Sequence, residues 1–200
     1  MEIGCDEVSL LAINGFQALQ KPAELVLLLK RLEELSPKVI LEIGSGKGGS
    51  TWAFSKLPSL KKLICLDLPN GPWGGGPTRE SIGYIAQHMS GALTFLAGDS
   101  RTEAALREVK KTLKRGLIDF LLIDGDHSYA GVKSDYITYS PLVRKGGLIA
   151  FHDICKHSKE SKCEVEKFWR ELKKKTPKRR IKEFLSEPLS WGGIGILEKA

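Results

Sequence analysis

The amino-acid sequence predicts an α/β fold: a doubly wound, seven-stranded sheet, mostly parallel, with a C-terminal antiparallel β-hairpin. Three observations carry this. Short apolar runs alternate with amphipathic stretches, the pattern of strand–helix–strand units with right-handed crossovers. The first apolar run, Val39 to Ile43, leads straight into the glycine-rich turn Gly44-Ser-Gly-Lys-Gly-Gly-Ser50. The last two runs, Ile181 to Leu185 and Gly193 to Leu197, have no room for a helix between them, and joined through Glu187-Pro188 they can only pair antiparallel.

The elements follow in order. In Pro22 to Leu35, Val26, Leu29 and Leu32 recur at helical spacing, and Ser36-Pro37 stops that helix. Val39 to Ile43 is a buried strand. Ser50 to Leu57 begins a helix that Pro58 ends, and Lys62 to Asp67 is the second strand. Beyond the Gly/Pro-rich loop Pro69 to Pro77, Ile82, Ile85, Ala86 and Met89 stripe one helix face. Leu93 to Ala97 is the third strand, Leu106, Val109 and Leu113 mark a helix, and Leu117 to Asp124 is a strongly apolar central strand. Val132, Tyr136, Tyr139 and Val143 belong to a helix closed by Gly146-Gly147. Leu148 to Phe151 is the fifth strand, and Val165, Phe168, Trp169 and Leu172 stripe the last helix.

Composition narrows the class. At 200 residues the chain can bury one real core, and 42% hydrophobic with 28% charged residues excludes a disordered or fibrous chain. No apolar run reaches the roughly 18 to 20 residues that span a bilayer. The N-terminus lacks the basic and apolar regions of a signal peptide, so a cytoplasmic location is expected. Cys5, Cys65, Cys155 and Cys163 contain no C-x-x-C pair and read as free thiols. The net charge of +7 is concentrated: Lys156 to Lys182 holds 12 basic and 4 acidic side chains, and the rest of the chain carries −1. That segment suits RNA or an acidic substrate, or else it is a solvated helix face, which the sparse aromatic interleaving favours.

In such a sheet a ligand lies beyond the C-terminal strand ends. The five parallel strands end in a polar set: Glu42 with Gly44 to Gly49, Asp67, Asp99 with Ser100, Asp124 with His127, and His152 with Asp153. Any one acid is explicable as a helix cap or turn residue; five sets converging on one crevice point to a site. The glycine turn satisfies G-x-G-x-x-G, and the amides after it open a helix that favours an anion or carboxylate. Asp67 suits a ribose diol, of NAD or of any adenosine cofactor, and Asp99 stands where an adenine amino group is read.

These segments resemble a family. Leu-Glu-Ile-Gly-Ser-Gly-Lys-Gly-Gly-Ser-Thr, Leu-Asp-Leu-Pro, Ala-Gly-Asp-Ser, Ile-Asp-Gly-Asp-His-Ser-Tyr and Lys-Gly-Gly-Leu-Ile-Ala-Phe-His-Asp are similar to class I S-adenosylmethionine-dependent methyltransferases. The nearest likeness is to the small-molecule O-methyltransferases that include cephalosporin-hydroxylase-like and macrolide-sugar enzymes. The likeness runs from about Gln17 to Asp153. It implies a Rossmann-like fold in a single methyltransferase domain: residues 1–36 a helical cover, 37–154 the cofactor-binding core, 155–200 a helix and hairpin.

The resemblance also implies roles. Glu42, Gly44, Gly46 and Ser50 hold the methionine part of S-adenosylmethionine, Asp67 its ribose, Asp99 and Ser100 its adenine, and Ser45 and Leu68 also bind the cofactor. Asp124 also borders the cofactor, and Asp124 and Asp153 bind a divalent cation, Mg²⁺ or Mn²⁺. His127 is the general base. His152 stands where such enzymes commonly carry an acid, so it is a ligand to a softer ion, a second base, or a partner of Asp124. The expected substrate is a hydroxylated small molecule (a sugar, phenol or natural product), with a homo-oligomer left open and no membrane partner. An RNA methyltransferase using residues 156–182 and an NAD-dependent oxidoreductase are the alternatives.

Four further features lie outside these roles. His152, Cys155, His157 and Cys163 match no standard structural zinc spacing. Trp73, in the glycine-rich loop, is a lid over the cofactor or a packed indole in a surface loop. Trp191 reads as a core residue at the start of the last strand, and His88 as solvent-facing at a helix end.

Overall fold

The computed structural model describes residues 3–68 and 76–200. The predicted loop carrying Trp73 lies outside them. The element order is α1 (Cys5–Phe16), α2 (Pro22–Leu35), β1 (Val39–Ile43), α3 (Gly49–Ser55), β2 (Lys62–Asp67), α4 (Arg79–Gln87), β3 (Ala92–Ala97), α5 (Glu103–Leu113), β4 (Ile118–Ile123), α6 (Tyr129–Tyr139), β5 (Val143–His152), α7 (Val165–Lys175), β6 (Ile181–Phe184) and β7 (Ile194–Glu198). The sheet runs β3-β2-β1-β4-β5-β7-β6. β1 to β5 pair in parallel, and β7 inserts antiparallel between β5 and β6.

Period-two alternation sorts the strands' side chains into two layers. Ile40, Leu63, Phe120, Leu122 and Leu148 face α1, α2 and α3. Leu41, Ile43, Ile64, Leu121, Ile123 and Phe151 face α5, α6 and α7. Reversal of strand order between β1 and β4 opens the crevice. Gly44 stands at its floor with φ +83, and a Cβ there would lie 2.0 Å from the Asp124 carbonyl oxygen. Only glycine lets the ends of β1 and β4 close to this distance.

Three expectations need correction, and one helix within the expected cover has little signal of its own. Helix α1 precedes the predicted helix at Pro22; it buries only Cys5, Val8, Ser9 and Ala12, leaves Leu10 and Leu11 exposed and has no side-chain cap, so its period is faint. Val143 and Gly146-Gly147 belong to β5 rather than closing α6, which stops at Tyr139 before Pro141. The register shifts between Ile118 and Phe120, and Asp119 steadies that irregularity by accepting from Lys38 N, Val39 N and Arg144 Nε. The α4 stripe shrinks to Ile85, with Ala86 exposed and Met89 beyond the helix. Trp191 is 38% exposed in the loop before β7 and is not a core residue. His88 is exposed as expected.

Candidate functional site

The glycine turn is built from below. Glu42 points to the α3 side of the sheet and is fully buried. Its carboxylate accepts from the Ser50 hydroxyl and, at 2.5 Å, from the Thr51 hydroxyl, both in the first turn of α3. Glu42 and Ser50, predicted to hold cofactor, are therefore tied to each other beneath the turn and set its shape. Burial pushes the Glu42 carboxyl up to about 7, against the hydrogen bonds from Ser50, Thr51 and Cys65.

A folded-state value above the ordinary one of 4.5 means stability is fully present below about pH 4.5 and is lost as pH rises through about 7. Glu42→Gln, neutral at every pH, is expected to remove a loss of about 3 kcal/mol across that window. Urea unfolding of both proteins at pH 4.5, 6 and 8 checks this; parallel stability curves would show that Glu42 does not titrate in the window.

Asp67 locks the turn from the side. Its Oδ2 accepts from Ser45 N at 2.8 Å, Gly46 N at 2.7 Å and Ser45 Oγ at 3.2 Å. Gly46, at φ +51, has open space where a Cβ would stand. The α1–α2 connection covers the helix start: a Cβ on Gly49 would lie 2.2 Å from Ala18 N, and Phe16 stacks on Trp52 with centroids 4.6 Å apart. Leu68, just past β2, is 44% exposed. Asp99, just past β3, is engaged by its neighbour: Arg101 N, Nε and Nη2 all donate to its carboxylate at 2.9 to 3.0 Å. Those hydrogen bonds hold it below the usual carboxylate range. Arg101 Nη1 also donates to Asp126 at 3.0 Å, and the Ser100 carbonyl accepts from the Tyr139 hydroxyl.

At the ends of β4 and β5 the structure gathers more than was predicted. Asp124 Oδ1 lies 3.3 Å from His127 Nε2 and 3.2 Å from His152 Nδ1. Asp153 Oδ2 lies 3.4 Å from His127 Nδ1, and its Oδ1 lies 3.1 Å from His157 Nε2 and accepts from Gly192 N at 3.1 Å. Gln20 Nε2 donates to Asp124 Oδ2 at 2.9 Å. Asp153 adopts φ +62, a left-handed conformation costing on the order of 1 kcal/mol.

The charges oppose burial. Burial alone would push the Asp124 carboxyl up, but the His152 charge and the His127 and His152 hydrogen bonds hold it well below the usual range. Burial pulls both imidazoles down; the acids outweigh it, raising His127 and lifting His152 to about 9.

Gln20, His157 and Gly192 complete this cluster. Of these, His157 stands out in the sequence only beside Cys155 and Cys163, and no sequence signal ties Gln20 or Gly192 to these acids. His152, Cys155, His157 and Cys163 do not gather as one set: His157 Nδ1 meets the Cys155 carbonyl, and the Cys155 thiol packs toward Gly193. Among the described residues two groups can surround a cation, Asp124–His152–Asp153 and His127–Asp153–Cys163, each with ligand atoms within 4.8 Å.

The flank is different. Lys167, Arg170 and Lys175 pair with Glu164, Glu166 and Glu171, and Lys173 pairs with Glu183, so much of α7's basic face is neutralised locally. A cavity of about 380 Å³ between α6 and α7, lined by Lys133, Phe168, Glu171 and Arg180 among others, includes none of the strand-end residues. No helix among the described residues is long and apolar enough to cross a membrane.

Fold and crevice together define a Rossmann-like α/β domain whose polar residues collect beyond the C-terminal strand ends. The chain belongs to the methyltransferase domain family, whose model matches residues 41–154. It is 31% identical over 115 residues to the uncharacterized protein R132 of Acanthamoeba polyphaga mimivirus, covering 56% of this chain and 50% of that relative. The chain thus spans about half the length of that curated relative.

Solved structures share the fold. An O-methyltransferase from Bacillus cereus in complex with SAH superposes with a TM-score of 0.62 at 16% identity, covering 98% of this chain and 90% of that one. The MycE methyltransferase of the mycinamycin biosynthetic pathway, in complex with Mg, SAH and mycinamycin VI, gives 0.67 at 16% identity, covering 100% of this chain and 55% of that one.

Proposed function

We propose that the protein is an S-adenosylmethionine-dependent O-methyltransferase acting on a hydroxyl of a small molecule, with a divalent cation at the acid pair. The observation that carries it is the convergence of Asp124, His127 and Asp153 beside the glycine turn, with Gly44 packed directly against Asp124. The two solved structures, in complex with SAH and, for MycE, also with Mg and mycinamycin VI, support the reading.

In this reading the Ser45 and Gly46 segment receives the donor's methionine end and Asp67 offers its Oδ1 to the ribose, its Oδ2 being held by the turn. Asp99, Ser100 and Leu68 border the nucleoside. The donor supplies a methyl group on a positively charged sulfur. The acceptor oxygen forms a bond to that methyl carbon in line with the breaking C–S bond, and the electron pair of that bond stays on sulfur. Alignment therefore does most of the work. His127 takes the hydroxyl proton on one ring nitrogen, which gives up its carboxylate to meet the acceptor, while the acid at the other nitrogen, Asp124 or Asp153 at 3.3 and 3.4 Å, stabilises the imidazolium.

The donor set also fits a cation: Gln20 Oε1 is buried with no partner while its amide nitrogen is anchored on Asp124. Asp124, Asp153 and His152 would hold the ion, which would lower the pKa of the acceptor hydroxyl. The unpaired thiols of Cys5, Cys65, Cys155 and Cys163 support a reducing, cytoplasmic setting. The local ion pairing of α7 speaks against RNA as the acceptor.

Calorimetry with S-adenosylmethionine, S-adenosylhomocysteine and NAD tests the reading. Binding of the first two and not the third is expected. NAD binding without S-adenosylmethionine binding would refute it.

A further inference from the structure

We propose that this centre takes a nitrogen-binding transition cation of the Mn²⁺, Fe²⁺, Co²⁺ or Zn²⁺ class in preference to Mg²⁺, and that His152 is the residue that sets the preference. The inference rests on the reading that the acid pair holds a cation, and adds which cation.

The ligand atoms carry it. Mg²⁺ demands near-octahedral oxygen ligation and gives up its waters reluctantly. Around Asp124 and Asp153 the further donors are mostly nitrogen and sulfur. The His152 side chain is 4% exposed, and its Nδ1 stands between the acids, 3.2 Å from Asp124 Oδ1 and 3.6 Å from Asp153 Oδ1. The second possible group shares Asp153 and adds His127 and the Cys163 thiol. Imidazole and thiolate suit the later first-row ions, whereas Mg²⁺ favours carboxylate, carbonyl and water.

The second shell is laid out in the same way. His157 Nε2 lies 3.1 Å from Asp153 Oδ1 while its Nδ1 meets the Cys155 carbonyl at 2.9 Å, which fixes both the ring and the carboxylate. Gln20, 6% exposed, anchors the far oxygen of Asp124 through its amide nitrogen, and its buried carbonyl oxygen has no partner among the described residues. One neutral oxygen beside two carboxylates falls well short of an all-oxygen shell; a nitrogen ligand between the acids completes a mixed set.

Carboxylate ligands alone also accept Mn²⁺ beside Mg²⁺, so the test is a change of ratio. Calorimetric titration with Mn²⁺ alone and with Mg²⁺ alone, on wild type and on His152→Glu, supplies it. The glutamate is expected to narrow the Mn²⁺-over-Mg²⁺ preference by about tenfold or more, the scale on which ligand-sphere changes act. An unchanged ratio overturns the proposal.

A second measurement needs no variant. Pulsed electron paramagnetic resonance of the Mn²⁺-loaded wild type is expected to show coupling to histidine ¹⁴N, and its absence overturns the proposal even if His152→Glu does not fold. Failure of both ions to bind overturns the cation reading as well, while S-adenosylmethionine calorimetry judges the methyltransferase reading separately.

Discussion

Glu24→Ala is expected to lower the unfolding free energy by about 3 to 5 kcal/mol, because it leaves a buried lysine without its counter-charge. Glu24 is fully buried and Lys21 is 4% exposed, and their charged atoms stand 3.6 Å apart in the first turn of α2. The pair is also a clamp. Glu24 accepts from Ser186 N and Oγ at 2.9 Å and from Gly193 N at 2.8 Å. Lys21 Nζ donates to the carbonyls of Ser186 and Pro188, and lies 4.8 Å from the Trp191 ring centroid.

The clamp fixes both ends of the β6–β7 loop, and the same loop brings Gly192 N to Asp153. For that reason a double change to apolar residues, Lys21→Met with Glu24→Leu, is not expected to restore full stability: the buried Gly193 amide and the half-buried Ser186 amide would lose their acceptor. Urea unfolding measures all three proteins. A loss below about 1 kcal/mol in Glu24→Ala would mean that the loop amides find other partners and that water reaches Lys21.

The contrast between what the sequence discloses and what it hides follows from the range of the interactions. β2 lies at Lys62–Asp67 as read, because a buried parallel strand is a continuous apolar run that needs no partner to be seen. The strand-end acids were legible for the same reason: each follows such a run directly. Gln20 and Asp124 are 104 residues apart, and Gly192 and Asp153 are 39 apart, so their hydrogen bonds are products of strand order and of the clamp at Lys21 and Glu24.

Local chemistry misled where two signals competed. Val143 fits the α6 stripe in spacing, yet Pro141 had already ended the helix. Asp99 stands at its strand end as predicted, but Arg101, only two residues on, takes up its carboxylate. Glu42 falls on the face of β1 that packs on α3. Alternation along the strand gives that face, but only the fold shows that Ser50 and Thr51 fill it.

His127→Ala is expected to slow methyl transfer by about 10² to 10⁴-fold, the range that a positioned general base supplies, with S-adenosylmethionine affinity unchanged. The argument is geometric. His127 is the imidazole that reaches both acids, one through each ring nitrogen, and at 21% side-chain exposure it is more open than His152 at 4% or His157 at 11%. It is therefore the histidine that a substrate in the crevice can meet. His152 sits beneath, and His157 is fixed by the Cys155 carbonyl.

A base role and a merely structural one separate by rescue. Added imidazole should restore part of the rate in His127→Ala, because a free base can occupy the vacated space. It should not restore the rate in Asp124→Asn, where the orienting charge for His127 and His152 is lost while both rings remain. The rate is read as S-adenosylhomocysteine released with Mn²⁺ present, using the best acceptor from a panel of phenols and sugars. Turnover that survives in His127→Ala without imidazole would assign the hydroxyl proton to an acceptor other than this residue.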